Sequence, residues 1–140
     1  MSEPNLIPTG GVVPYLTIPA RGGQAAVEFY RAAFGAEELF RNLAEDGERL
    51  MHSRLVINGG LLMLSDEFPE YGHETDVEPK GVALHLQVED ADFWWERALS
   101  AGAVPVMPLA DQFWGDRYGR VMDPFGHCWS IAAPIRNGGG

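Results

Sequence analysis

The chain has one cysteine, Cys128, in 140 residues. A lone thiol excludes an internal disulfide and a cysteine-built zinc centre. Basic residues are also scarce. Ten Lys and Arg against 20 Asp and Glu leave a formal net charge of −10. A surface that negative repels a phosphate backbone, so nucleic acid is not an expected partner. No apolar run approaches the length of a membrane span. The Met-Ser-Glu-Pro start has neither a basic nor an apolar leader segment. The expectation is a cytoplasmic protein that needs no membrane. What the chain does have is a hydrophobic content of 46%, ordinary for a folded domain and far from the disordered class.

The elements recur in the same order. After a loose lead-in over residues 1–11, "VVPYLTI" alternates as a strand. "GGQAAVEFYRAAFGAE" places Val27, Tyr30, Arg31 and Phe34 at helical spacing, with Gly35 where a helix wants a left-handed end. "EELFRNL", "RLMHSRLVI" and "GLLMLSD" then read as three strands split by Asp46-Gly47 and Gly59-Gly60 turns. In the second half, "GVALHLQV" alternates with Val82, Leu84, Leu86 and Val88 on its apolar side. Asp90 is a candidate N-cap for "ADFWWERALSAG", whose stripe is Ala91, Trp95, Ala98 and Leu99, and Gly102 ends it. "AVPVMPL", "DRYGRVMD" and "HCWSIAA" complete a second set of three strands. One βαβββ unit cannot bury both its helix and its sheet, whereas two can share a core. The expected fold is therefore α+β, built of paired βαβββ modules. They occupy about residues 12–68 and 81–133 of one domain over 12–133, with a link near 69–80 and a tail at 134–140.

The chain resembles the glyoxalase, bleomycin-resistance and extradiol dioxygenase superfamily (vicinal oxygen chelate), and within it the PhnB-like branch. The resemblance rests on "AAVEFYRAAFGAE", "MHSRLVINGGLLMLSDEFPE", "VEDADFWWERALSAGA" and above all "FWGDRYGRVMDPFGHCWSIA". In the last of these, Pro124 fixes φ, Gly126 accepts a positive φ and Asp123 can cap the turn, giving a hairpin. The resemblance implies a sheet curled around a cleft, a small organic ligand and a homodimer. In metal-dependent members the ligands fall at positions matching Tyr15, Met63 or Leu64, Ala83 and Ser130. None of these is His or a carboxylate, so no metal cofactor is expected at the usual place.

Strand parity identifies what the cleft would hold. Ala83, His85 and Gln87 lie opposite the apolar set of their strand. Leu55 and Ile57 take the core side of theirs, which turns His52 and Arg54 the other way as the inward positive charge. Tyr15 and Thr17 line the first strand. Cys128 and Ser130 share a side of the last, above Trp129 and Ile131. His52 and His85 are the candidate acid–base residues. Tyr15, Arg54, Gln87, Ser130 and the loop aromatics Trp114 and Tyr118 are the candidate ligand contacts, suited to a neutral or anionic organic molecule. Asp116 and Arg117 are expected to pair locally. His73 is expected to be solvated, His127 to cap the hairpin, and Trp94 with Trp95 to pack in the core. The leading expectation is a small-molecule binder acting by sequestration or by metal-free acid–base chemistry. The alternative is a divalent-metal lyase or dioxygenase with ligands moved to His52, His85 and Glu67 or Asp66.

Overall fold

The computed structural model describes residues 10–73, 75 and 78–135, so most of the lead-in and of the tail lie outside the described residues. The elements run β1 (Tyr15–Ile18), α1 (Gly23–Phe34), β2 (Glu37–Leu43), β3 (Leu50–Ile57) and β4 (Gly60–Asp66), then a 3-10 turn at Pro69–Tyr71. They continue as β5 (Ala83–Gln87), α2 (Ala91–Ala101), β6 (Val104–Asp111), β7 (Asp116–Met122) and β8 (Cys128–Pro134). This is βαβββ twice. Two mixed four-stranded sheets result, ordered β1-β4-β3-β2 and β5-β8-β7-β6, as the α+β reading requires. In each, the first and fourth strands are parallel and the other pairs antiparallel. Two compact units follow this division. The first holds β1–β4 and α1 up to Arg31, and the second holds Ala32–Phe34 with α2 and β5–β8.

In the first unit α1 buries Ala26, Val27, Phe29 and Tyr30. Each large apolar side chain removed from water in this way is worth about 1.5–3 kcal/mol. Gly35 closes the helix at φ 67. The sheet's core face carries Leu16, Ile18, Leu55, Ile57, Leu62 and Leu64. A buried carboxylate fastens helix to sheet. Asp66 accepts the Gly23 N–H at 2.8 Å through Oδ1 and the Leu50 N–H at 2.7 Å through Oδ2. Gly23 must be glycine there, because a Cβ would stand within 2.5 Å of Asp66 Oδ2.

In the second unit Asp90 caps α2 by accepting the Phe93 N–H at 3.1 Å, and Ala91, Trp95 and Ala98 are buried. Trp129 packs against Phe34, ring centroids 4.5 Å apart. The β7–β8 hairpin is held by Asp123, which accepts from Phe125 N–H (2.8 Å), His127 N–H (3.0 Å) and Trp129 Nε1–H (2.9 Å). Gly126 takes φ 95 in that turn, as its place after Asp-Pro-Phe demands.

Four sequence readings change. Val82 is 70% exposed, because β5 begins only at Ala83 and the apolar side of the strand starts at Leu84. Arg117 does not pair with its neighbour Asp116. It reaches Asp92 and Asp111, both at 3.1 Å, since adjacent strand residues point to opposite faces. Trp94 is only half-buried, under the Arg97 guanidinium 4.5 Å from its ring, while Trp95 is in the core. His73, though exposed, is tied back: its Nδ1 accepts the Phe68 N–H at 3.0 Å.

Candidate ligand-binding site

In the first unit the face opposite the core carries Tyr15 from β1, Phe40 from β2, His52 and Arg54 from β3, and Met63 from β4. The register fixes the arrangement: Tyr15 and Arg54 both lie across from Met63, and Phe40 lies across from Arg54. The Tyr15 hydroxyl is 3.0 Å from His52 Nδ1, with the rings tilted at 5.6 Å. With Tyr15 donating, the imidazole carries its proton on Nε2, which has no partner among the described residues. Burial, and then the Arg54 charge, hold the His52 pKa below the ordinary histidine value. His52 is thus neutral at neutral pH, and in the tautomer in which Tyr15 donates, its free Nε2–H is a donor.

Arg54 is the unusual member. Its guanidinium lies 5.3 Å from the Phe40 ring centroid. Alone among the described arginines it makes neither a hydrogen bond nor an ion pair, and its Nε is buried and unsatisfied. A buried N–H without an acceptor costs about 1–3 kcal/mol. Among the described residues no carboxylate is placed to relieve it.

In the second unit His85 on β5 lies across from Ser130 on β8, and Arg120 on β7 lies across from Ser130 on the other side. His85 Nδ1 is 2.7 Å from Ser130 Oγ and Nε2 is 2.8 Å from Gln87 Oε1, so both ring nitrogens are engaged. The Tyr118 ring stacks on His85 at 6.1 Å and 21°, and Trp114 meets Tyr118 edge-on at 5.6 Å. Arg120 donates its Nε–H to the Tyr118 hydroxyl at 2.8 Å.

The two units therefore carry matching sets. Around the central fourth-strand residue, Met63 or Ser130, stand a first-strand residue (Tyr15 or His85) and a third-strand arginine (Arg54 or Arg120). Two residues before each arginine stands His52 or Tyr118. Tyrosine and histidine have exchanged strands between the copies.

All eight candidate residues are placed by these strands except Trp114, which sits in the β6–β7 turn. Tyr118 belongs to β7 rather than to that loop. Arg54 is not the sole inward positive charge, since Arg120 shares the Tyr118 face. Counting two residues along the same strand from Tyr118 would have found it. Phe40 was also missed. It lies on an edge strand whose register shifts between Glu38 and Phe40, which breaks simple parity.

The family's metal sites require nitrogen or carboxylate donors. The matching positions here offer a phenol at Tyr15, a thioether at Met63, a methyl at Ala83 and a hydroxyl at Ser130, a set that does not fit a hard or borderline divalent ion. Of the relocated candidates, Asp66 has both oxygens committed to backbone N–H groups. Among the described residues no three His, Cys, Asp or Glu side chains form a metal-binding group.

Paired βαβββ modules with polar residues across the faces opposite their cores define the class. The profile of the glyoxalase/bleomycin resistance protein/dioxygenase superfamily matches residues 12–131, and the chain belongs to that superfamily. It is 46% identical over 117 residues to the uncharacterized protein Rv0887c of Mycobacterium tuberculosis, covering 80% of this chain and 68% of that one. The X-ray structure of the Arabidopsis thaliana protein At5g48480 superposes with a TM-score of 0.71 at 32% identity, over 88% of this chain and 98% of the other. A PhnB protein of Bacillus cereus, described as a putative 3-demethylubiquinone-9 3-methyltransferase, gives a TM-score of 0.71 over 89% and 99%. At 17% identity that likeness is one of fold. No described helix is long and apolar enough to cross a membrane.

Proposed function

We propose that this chain is a PhnB-like binder of a small organic anion, held by Arg54 and the donors beside it without a divalent metal. The observation that supports the reading is the Arg54 guanidinium: half-buried, stacked on Phe40, and bonded to no acceptor among the described residues. A carboxylate or similar oxyanion would reach the guanidinium through its terminal Nη groups, with a charge-assisted bond. The His52 Nε2–H, two residues along the strand, would serve as a neutral second donor. His85 is the weaker acid–base candidate, because Ser130 and Gln87 already occupy both its nitrogens, which leaves His52 as the residue for any proton transfer. The same reading takes the protein as a homodimer, which light scattering at micromolar concentration checks; a monomer would remove that part.

Thermal shift against organic carboxylates, sulfonates and neutral analogues, with EDTA present, tests the binding claim. At least one anion is expected to stabilise the native chain, and Arg54→Met is expected to weaken that ligand roughly tenfold or more, the loss of one charged hydrogen bond. A stoichiometric metal whose removal abolishes binding, or preference for neutral analogues, would overturn the reading.

A further inference from the structure

Beside Tyr15 the first unit opens a second feature that core packing does not explain. A cavity of about 260 Å³ is walled by Tyr15, Met51, Phe68, Tyr71 and His73, with Ser65 among its lining. Tyr71 is 70% and Tyr15 51% exposed, and Met51 also reaches solvent. Phe68 is buried, as is Ser65, and Phe68 orders the wall: its ring lies 5.9 Å from Tyr71 and edge-on at 6.1 Å to His73. The His73 ring is fixed in turn by its bond to the Phe68 N–H. Three aromatic rings, an imidazole and a thioether around one opening form a surface for a flat π-system, which aromatic edges and methionine sulfur both favour. The volume suffices, since cavities of roughly 150 Å³ already admit benzene.

Tyr15 joins this cavity to the anion site. It lines the one and hydrogen-bonds to His52 in the other. Tyr15 and Arg54 lie on strands either side of Met63, so their backbones are two strand spacings apart, about 10 Å. From this geometry we infer that the ligand is an aryl anion. Its ring enters the cavity beside Tyr15, and its carboxylate or equivalent group, carried on a short chain, meets Arg54. The inference rests on the anion reading above and names the chemical class that reading leaves open.

The test compares 3-phenylpropanoate with 3-cyclohexylpropanoate, equal in charge and similar in size, by calorimetry and by the NMR signal of the Met51 methyl. The phenyl probe is expected to bind roughly 3- to 10-fold more tightly, the range that an aromatic contact supplies. It should also move the Met51 methyl upfield by ring current, which the saturated probe should not do. Tyr71→Leu should narrow the difference, and Arg54→Met should weaken both probes alike. Equal affinities that both fall in Arg54→Met would overturn the aryl inference and leave the anion reading standing. A phenyl preference that survives unchanged in Arg54→Met would overturn the anion reading and with it the aryl-anion class. No binding of either probe at millimolar concentration would overturn both.

Discussion

In the first unit Arg54 stands across from Met63 and has no hydrogen-bond acceptor among the described residues. In the second, Arg120 stands across from Ser130 and gives its Nε–H to Tyr118. Each set holds a Tyr, a His and an Arg around a fourth-strand residue that differs, Met63 or Ser130, with Tyr and His exchanged between the first and third strands. That exchange decides the outcome. A tyrosine on β1 reaches the histidine on β3 and uses its hydroxyl there, leaving the arginine unsatisfied. A tyrosine on β7 sits two residues from the arginine on the same face and becomes its acceptor. The phenol is the acceptor that Arg120 uses, and the tyrosine on β1 makes no such bond to Arg54.

The comparison can be broken at its supports first, where the effects are largest. Asp123→Ala should cost about 3–5 kcal/mol in urea unfolding, because it strips acceptors from two backbone N–H groups and the Trp129 indole. Asp66→Ala should cost about 3–4 kcal/mol, having two N–H partners instead of three. A loss under about 1 kcal/mol at either site would show that these carboxylates do not fasten the units.

A smaller contrast lies between the flanking pairs. Ser53, between His52 and Arg54, is buried and donates to Glu38 at 2.7 Å. Burial pushes the Glu38 pKa up, but the bonds from Arg41 and Ser53 outweigh it and hold that carboxyl below its usual value. The matching residue between Tyr118 and Arg120 is Gly119, where a Cβ would meet the Trp95 ring at 2.7 Å and the Leu109 backbone at 2.8 Å. Gly119→Ala should therefore cost about 2–3 kcal/mol and Ser53→Ala about 1–2, by thermal or urea unfolding. The reverse order would mean that the two strands are not equivalent.

The smallest effect is a titration. The His52 pKa is depressed, so as pH falls below the unfolded value near 6.5 the unfolded chain takes up its proton first. The stability tied to neutral His52 is present above that pH and is lost as pH falls through the lowered folded pKa. Arg54→Met removes the charge but not the burial. It should raise the His52 pKa part of the way back, read from the imidazole proton shift in NMR; no rise would show that Arg54 does not act on His52.

Much of this was legible in the chain. Gly35, Gly102 and the Asp123-Pro124-Phe125-Gly126 turn punctuate the repeat because each position demands a backbone geometry that few residues accept. Alternation in β3 correctly turned His52 and Arg54 away from Leu55 and Ile57, since a two-residue period leaves no other choice. What stayed hidden depends on partners far along the chain. Asp66 at a strand end looks like any available carboxylate until the α1 N-terminus is folded onto it. Arg117 finds Asp92 25 residues earlier in sequence, which nothing local announces. The state of each arginine turns on which strand carries the tyrosine, and that emerges only once the register is known.

The most direct test of the central claim is the side-chain NMR signal of the arginine guanidinium N–H groups during addition of 3-phenylpropanoate. The account predicts a large, saturable shift of the Arg54 guanidinium N–H signals and little change at Arg120, whose Nε–H already has its acceptor in Tyr118. A silent Arg54, or equal movement of both signals, would contradict it.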